Sequence, residues 1–361
     1  MKIISATLAL ALAACISAGE RPGLDDEVGV GEAPPLAVRA VENFAQLREL
    51  SPTGAVMWVS APELSIEIEN GGTTDTEFDL TLLNATAATE FSATLAGAPH
   101  GVLEVERTRP TERQARLDVP AMATVTVTLA LPAEIAGPFR VAVMGDIQTA
   151  LDSVDEVFDA ISDVENLDFV ISTGDIVESA RENEFDLFDA QLQFLRIPFY
   201  STIGNHEIRG DHEIWHRRYG LYSLYFVYRD VAFSFIDSGN GGIHPTVGDR
   251  LQRALDEHRD RIHLVGTHYP PFDPIGVRSG SFRSRKEAAA FLARLADGRV
   301  DTTFYGHIHS FYAYENAGIP AYISGGGGAS PERWDGIGRH FLVLTINPNE
   351  GSTEVGLVRV D

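Results

Sequence analysis

The sequence predicts two fold classes in one chain, an all-β domain followed by an α/β domain. Its 361 residues are enough for two domains of ordinary size. Apolar residues recur at every second position between about residues 36 and 136, which is typical of an immunoglobulin-like β-sandwich. From residue 137 to residue 361, short apolar runs alternate with amphipathic segments, and this alternation indicates an α/β fold.

Composition excludes several classes of function. The chain has 28 Lys and Arg against 52 Asp and Glu, a formal net charge of −24. Such a charge argues against a surface that grips nucleic acid, and we expect no nucleic-acid partner. A small phosphate-binding site is still compatible with this net charge, because a bound metal ion makes the local charge positive. The single cysteine, Cys15, excludes an intrachain disulfide framework and a structural zinc site built on several thiolates.

Residues 1–16 are predicted to be a signal segment. Met1 and Lys2 precede an apolar run over residues 3–14 that is too short to span a bilayer. The run ends in LAAC, which resembles a bacterial lipoprotein signal. This resemblance implies cleavage before Cys15, a lipid anchor on that residue, and a place in the periplasm or at the outer membrane or cell surface. A plain secretory signal cut near Ala18 is the alternative.

Residues 17–35 are predicted to be a solvated tether, because they are rich in glycine, proline and acidic residues and lack an apolar pattern. In the following β region, the alternation is clearest over residues 64–69 and 124–131. We find no metal cluster or catalytic set in this region of the sequence. A protein or a glycan is the kind of partner that such a domain binds.

The second region alternates predicted strands and helices. The predicted strands cover residues 139–144, 167–172, 198–203, 231–236, 262–266, 302–305, 319–323 and 341–346, and the predicted helices cover residues 153–164, 182–195, 250–259 and 285–295.

Five of these predicted strands end in a short polar motif. Because ligands of open α/β sheets bind outside the carboxyl ends of the strands, we expect the five loops to meet in one crevice. Their Asp, Asn, Gln and His side chains offer oxygen and imidazole donors without a thiolate, a set that suits manganese, iron or zinc. In chain order the motifs are GDIQ at 145–148, TGD at 173–175, GNHE at 204–207, THYPP at 267–271 and GHIH at 306–309.

This order of motifs resembles the calcineurin-like metallophosphoesterase superfamily over about residues 138–348. The resemblance implies an α/β/β/α two-sheet sandwich with a dinuclear centre of divalent or trivalent ions. One ion would be held by Asp146, Gln148, Asp175 and His309, and the other by Asp175, Asn205, His268 and His307.

The resemblance also implies an activity. The chain would hydrolyse a small phosphorylated substrate, either a phosphomonoester or a small phosphodiester, with a hydroxide that bridges the two ions. His206 would be the general acid for the leaving group, and Glu207 would orient it. The alternative is a non-catalytic surface protein that binds through its β-sandwich and keeps a degenerate metallophosphoesterase scaffold.

Gln148 is the main departure from the family pattern, which has a histidine at this position. Glutamine supplies a weaker neutral oxygen or only a hydrogen bond, so the first ion would bind less tightly or be a harder metal. Glu178, three residues after Asp175, is either a further ligand of the first ion or a carboxylate at a helix start.

Three residues are candidates for substrate contacts. Arg209 and His212 lie in the charged stretch RGDHEIWHRR after the GNHE motif, and Tyr269 follows His268. The alternatives are a solvated charged helix for Arg209 and His212, and ordinary aromatic packing for Tyr269.

Overall fold

Two sheets form from the strands that precede residue 131. The computed structural model describes residues 19–105, 109–276, 280–333 and 337–360. The elements of this region are α1 (Arg21–Asp25), β1 (Val30–Ala33), β2 (Leu36–Ala40), β3 (Ala45–Ser51), β4 (Gly54–Val59), β5 (Leu64–Asn70), β6 (Thr76–Leu83), β7 (Glu90–Leu95), β8 (Ala98–His100), β9 (Leu103–Val105), β10 (Glu112–Val119) and β11 (Ala123–Ala130).

The strand orders are β1-β2-β5-β11-β7-β8 and β3-β4-β6-β10-β9. Neighbours are antiparallel except β4 and β6, which pair in parallel. In β5, Leu64, Ile66 and Ile68 are buried while the residues between them are more exposed, as the period of two predicts. This strand-rich region is confirmed, and its immunoglobulin-like type stays a prediction.

The second region alternates strands and helices as predicted. Its elements are β12 (Phe139–Met144), a 3-10 helix (Gln148–Ser153), α2 (Asp155–Ser162), β13 (Leu167–Ser172), α3 (Glu182–Gln191), a 3-10 helix (Leu192–Phe194), β14 (Phe199–Ser201), α4 (Glu213–Tyr219), β15 (Leu224–Tyr228), β16 (Val231–Ile236), α5 (Pro245–Glu257), β17 (Ile262–Thr267), α6 (Arg285–Asp297), β18 (Thr302–Tyr305), β19 (Phe311–Asn316), β20 (Ile319–Ser324), β21 (His340–Asn347) and β22 (Ser352–Arg359).

These elements form an α/β/β/α sandwich. The sheets have the orders β14-β13-β12-β21-β22 and β15-β16-β17-β18-β20-β19. Val141 and Val143 of β12 belong to the core between the two sheets, whereas Ala142 and Met144 contact the layer of α2 and α3. Helices α5 and α6 cover the outer face of the second sheet. Strands buried on both faces explain the continuous apolar runs in the sequence.

The structure corrects the predicted tether. Residues 20–33 contain α1 and β1, and Arg21 and Asp25 are buried. The reason is that both charged side chains form ion pairs with the second region, with Asp237 and Arg250 respectively.

Cys15 and the rest of the predicted signal segment lie outside the described residues. Of the helices that the structure describes, none is long and apolar enough to cross a membrane.

Candidate metal centre

The predicted polar loops meet at one edge of the sandwich, where the parallel strands end. Tight turns bring them together, since Asp146, Asp175 and His307 have left-handed backbone with φ of 64°, 57° and 66°. Glycine is required where two loops touch. A Cβ on Gly174 would lie 2.3 Å from the backbone nitrogen of Gly204, and a Cβ on Gly204 would lie 2.1 Å from Asp175 Oδ1.

One half of the centre is formed around His268. Its Nε2 lies 3.1 Å from Asp175 Oδ2, 3.1 Å from Asn205 Oδ1 and 3.3 Å from His307 Nδ1. The ligand atoms of Asp175, His268 and His307 all lie within 4.8 Å of one another. Two imidazoles, a carboxylate and an amide oxygen around one point form a donor set that fits a divalent cation. These are the residues that the resemblance assigns to the second ion.

The other half is formed around His309. Its Nε2 lies 3.5 Å from Asp146 Oδ1 and 3.3 Å from Gln148 Nε2. The amide nitrogen of Gln148 also donates to Asp175 Oδ2 at 2.7 Å. Rotation of this amide by half a turn would exchange its nitrogen and oxygen, so that the oxygen would lie between Asp175 and His309. Asp175 therefore contacts both halves, as expected for a shared ligand.

Backbone carbonyls orient two of the imidazoles. The carbonyl oxygen of Thr173 lies 3.1 Å from His268 Nδ1, and that of Ser330 lies 2.8 Å from His309 Nδ1. A donor at Nδ1 leaves the Nε2 lone pair directed toward the centre, which is the usual support of a metal-binding histidine. The sequence analysis missed these partners, since a backbone carbonyl leaves no signal in residue type.

Electrostatics favour a cation in this centre. Burial raises the pKa of Asp146 to about 6. Burial also opposes ionisation of Asp175, but the imidazole of His268 outweighs it and lowers the pKa of this carboxyl group. Asp175 in turn outweighs burial at His268 and raises its pKa to about 9. Asp175 is fully buried yet ionised, so it needs a compensating positive charge, either a proton on His268 or a metal ion in its place.

His206 lies beside the centre and is 6% exposed. Its Nδ1 lies 2.7 Å from the carbonyl oxygen of Glu178 and 3.2 Å from Glu178 Oε2, and its Nε2 lies 3.8 Å from Asp175 Oδ2. Burial lowers its pKa, although Asp175 opposes the shift. Glu178 thus orients His206. It contacts His206 and Arg209, and α3 begins only at Glu182, so Glu178 is not a carboxylate at a helix start. Its role as a further ligand of the first ion stays a prediction.

The structure corrects the role of Glu207. Its carboxylate accepts hydrogen bonds from four backbone N–H groups, so it connects the TGD and GNHE loops instead of holding the His206 ring. Burial raises the pKa of Glu207 to about 7. The donors are Asp175 at 2.9 Å, Ile176 at 2.7 Å, Val177 at 3.1 Å and Gly204 at 2.7 Å.

The three candidate substrate residues lie in different surroundings. Arg209 is half exposed and pairs with Glu178 at 3.2 Å. His212 is 3% exposed and its Nδ1 lies 3.0 Å from the Tyr222 hydroxyl, so it cannot contact a substrate directly. The Tyr269 ring packs on His307 with centroids 3.9 Å apart, which places it at the centre.

A cavity of about 650 Å³ lies elsewhere, between the first region and α3. Arg48, Trp58, Arg109 and Phe194 are among its lining residues, and the lining includes none of the predicted metal ligands. The chemistry of the donor set, and not the size of a cavity, therefore identifies the candidate site.

Comparison with known proteins supports this identification. The calcineurin-like phosphoesterase family matches residues 139–311. A probable glycerophosphodiester phosphodiesterase, GpdQ, from Arcobacter nitrofigilis is 26% identical over 171 residues, which cover 42% of this chain and 62% of that protein. The chain thus matches less than two thirds of the length of this curated relative.

A solved structure extends the similarity of fold to most of the chain. The purple acid phosphatase PPD1 from seeds of yellow lupin (Lupinus luteus) superposes with a TM-score of 0.53 at 13% identity. The superposition covers 88% of this chain and 72% of that one. At this identity the match concerns the fold alone.

Proposed function

We propose, from the premise that residues 139–311 form a calcineurin-like phosphoesterase domain, that this chain hydrolyses phosphate esters with two metal ions. The observation that carries the proposal is the convergence of Asp175, Asn205 and His307 on His268 Nε2 in one half, with Asp146, Gln148 and His309 in the other.

The donor set fits two cations. Asp175 would be shared, Asp146 and His309 would hold the first ion with Gln148, and Asn205, His268 and His307 would hold the second. When bound, two such ions lower the pKa of a water molecule and offset the charge on the oxygens of a phosphoryl group. Manganese, iron and zinc all accept this mixture of oxygen and imidazole ligands.

His206 is the proposed general acid. Its Nδ1 is held by the carbonyl of Glu178, so its Nε2 faces the centre and lies 3.8 Å from Asp175 Oδ2. A proton on Nε2 can pass to the leaving oxygen of the ester, and the Glu178 carboxylate 3.2 Å from Nδ1 stabilises the imidazolium before that transfer.

The substrate class is a phosphomonoester or a small phosphodiester. The relative from Arcobacter nitrofigilis carries the name of a glycerophosphodiester phosphodiesterase, which favours the diester. Tyr269, on His307, is the proposed contact for the organic part of the substrate. We also propose that the protein is exported and anchored through a lipid on Cys15.

The test is a direct assay. Residues 17–361 are purified, loaded with Mn²⁺ and given p-nitrophenyl phosphate and its bis-ester, while elemental analysis counts the metals per chain. Two metals and hydrolysis of either ester support the proposal. Metal-loaded protein without hydrolysis, or no metal retained after dialysis, would favour the alternative of a non-catalytic surface protein.

A further inference from the structure

The segment of residues 20–26, which we name the amino-terminal strap, lies against the second region although it precedes the first. Arg21 is 1% exposed. Its Nε donates to Asp237 Oδ2 at 2.7 Å, and its Nη2 donates to Asn240 Oδ1 at 2.6 Å. Both acceptors lie just after β16, at the same edge of the sandwich as the metal centre. The strap therefore reaches the loops of that edge.

A second contact of the strap lies close by. Asp25 is 3% exposed and accepts a hydrogen bond from the backbone nitrogen of Tyr222 at 2.8 Å. Its other oxygen pairs with Arg250 at 3.1 Å, and Arg250 also donates to the carbonyl of Pro22 at 2.7 Å. The strap is thus held at both of its ends by buried charge.

Both contacts connect the strap to the loop of residues 202–206 through intermediate residues. The hydroxyl of Thr202 donates to the carbonyl of Tyr222 at 2.7 Å. On the other side, Asp237 Oδ1 accepts from Gly239 at 2.9 Å, and Gly239 is so close to the loop that a Cβ there would lie 2.7 Å from the Gly204 oxygen. Arg21 therefore binds the segment on one side of this loop, through Asp237, and Asp25 binds the segment on the other side, through Tyr222.

A buried ion pair is a poor source of net stability, because desolvation offsets most of its attraction. Arg21 has a further cost, since its buried Nη1 has no hydrogen-bond partner in the described part of the chain. What such a pair does provide is one fixed geometry, because its donors and acceptors match only in a single arrangement. Geometry is what the loop of residues 202–206 requires, since it carries Asn205 and His206.

We propose that Arg21 is a positioning residue for the metal centre. Through Asp237 and Asn240 it fixes the loop of residues 202–206, and it thereby holds Asn205 and His206 in place. The roles of Asn205 and His206 rest on the proposed function, whereas the coupling of the strap to the loop does not.

The coupling is tested by hydrogen–deuterium exchange on the metal-free protein. Arg21→Met is compared with wild type and with Arg113→Met as the control. Arg113 is a matched buried arginine, 2% exposed and paired with Glu104 at 2.6 Å, but it belongs to β10 of the first region. In Arg21→Met we expect the amides of residues 203–207 to exchange at least about tenfold faster, because a buried charged partner is lost. In Arg113→Met the same amides should exchange as in wild type.

Metal binding and turnover supply the second readout. Calorimetry should show about tenfold weaker Mn²⁺ binding in Arg21→Met, the loss that follows when an outer partner of a metal site is removed. We expect kcat to fall with it while KM changes little. Arg21→Lys should be intermediate, since lysine keeps the charge near Asp237 but lacks a second arm for Asn240.

The outcomes separate the inference from the proposed function. Unchanged exchange at residues 203–207 in Arg21→Met overturns the inference, even if the variant is less stable. If Arg21→Met does not fold, Arg21→Lys decides by the same measurement. Faster exchange in a chain that hydrolyses no phosphoester supports the coupling and contradicts the proposed function.

Discussion

The two regions of the molecule bury different kinds of side chain. Of the titratable groups described between residues 36 and 136, Arg113 alone is buried. The core there consists of aliphatic residues, Met57 and Phe78. The second region buries carboxylates and imidazoles: Asp146, Asp175, His206, Glu207, His212, Asp237, His263, His268, His309 and His340.

Burying an ionisable group costs free energy unless the group is paired. The first region largely avoids this cost, whereas the second accepts it, chiefly at the edge where its loops meet. Chemistry, metal dependence and pH dependence should therefore reside in the second region. Matched substitutions in the two regions test this difference.

The largest effect is expected from Asp175→Asn. The amide removes the negative charge that both halves of the centre share, so both ions should be lost. With several kcal/mol of transition-state stabilisation gone, hydrolysis should fall about 10⁴-fold. Steady-state assays with metal analysis check this. Asp79→Asn, at an exposed carboxylate of the first region paired with Arg116, is the control and should keep full activity.

His206→Ala should lower turnover about 10²–10³-fold and leave the metal content unchanged, because the ring contributes a proton and no metal ligand. The measurement is kcat for the p-nitrophenyl esters with elemental analysis of the same sample. His100→Ala, in β8 of the first region, should have no effect on kcat. Loss of metal in His206→Ala would make this residue a ligand and contradict its assignment.

Gln148→His should tighten binding of the first ion about tenfold, because an imidazole nitrogen replaces a weak amide oxygen. Calorimetric titration with Mn²⁺ measures the two affinities, and only the weaker one should change. An unchanged or weaker affinity would show that glutamine at this position acts through its hydrogen bond to Asp175.

The smallest effect concerns pH. His263 is 1% exposed, and burial lowers its pKa to about 4. In the unfolded chain it titrates near 6.5, so between these values the unfolded state binds more protons. The stability from a neutral His263 is present above about pH 6.5 and is lost as the pH falls toward 4.

Urea unfolding from pH 4 to pH 7.5 measures this loss. As the pH falls through the window, the free energy of unfolding of wild type relative to His263→Gln should decrease by up to about 1.4 kcal/mol per pH unit. A difference that stays constant across the window would contradict this interpretation. It would also weaken the contrast between the two regions.

Much of the site could be predicted from the sequence because the relevant signal is local. Glycine and a polar residue after each apolar run mark the end of a strand, and parallel strands bring such ends together. Asp175, His268 and His307 do lie close together, as this reasoning expects, and their role as metal ligands stays a prediction.

Predictions failed where contacts join distant parts of the chain. Residues 17–35 have the composition of a tether, but Arg21 pairs with a residue 216 positions later. Glu207 follows His206 in sequence, yet backbone amides of another loop bind its carboxylate. His212 lies in a charged stretch, but the turn before α4 directs it inward to Tyr222. The local pattern of residue types does not predict partners that lie far away along the chain.

The ion pair between Arg21 and Asp237 also constrains the order of events during biosynthesis. Arg21 leaves the ribosome early, and its partner follows only after the whole first region has been made. The first region can therefore complete its sheets before the partners of Arg21 in the second region have been made. Docking of the strap becomes a late, long-range step that joins residues 20–26 to the edge that carries the candidate metal centre.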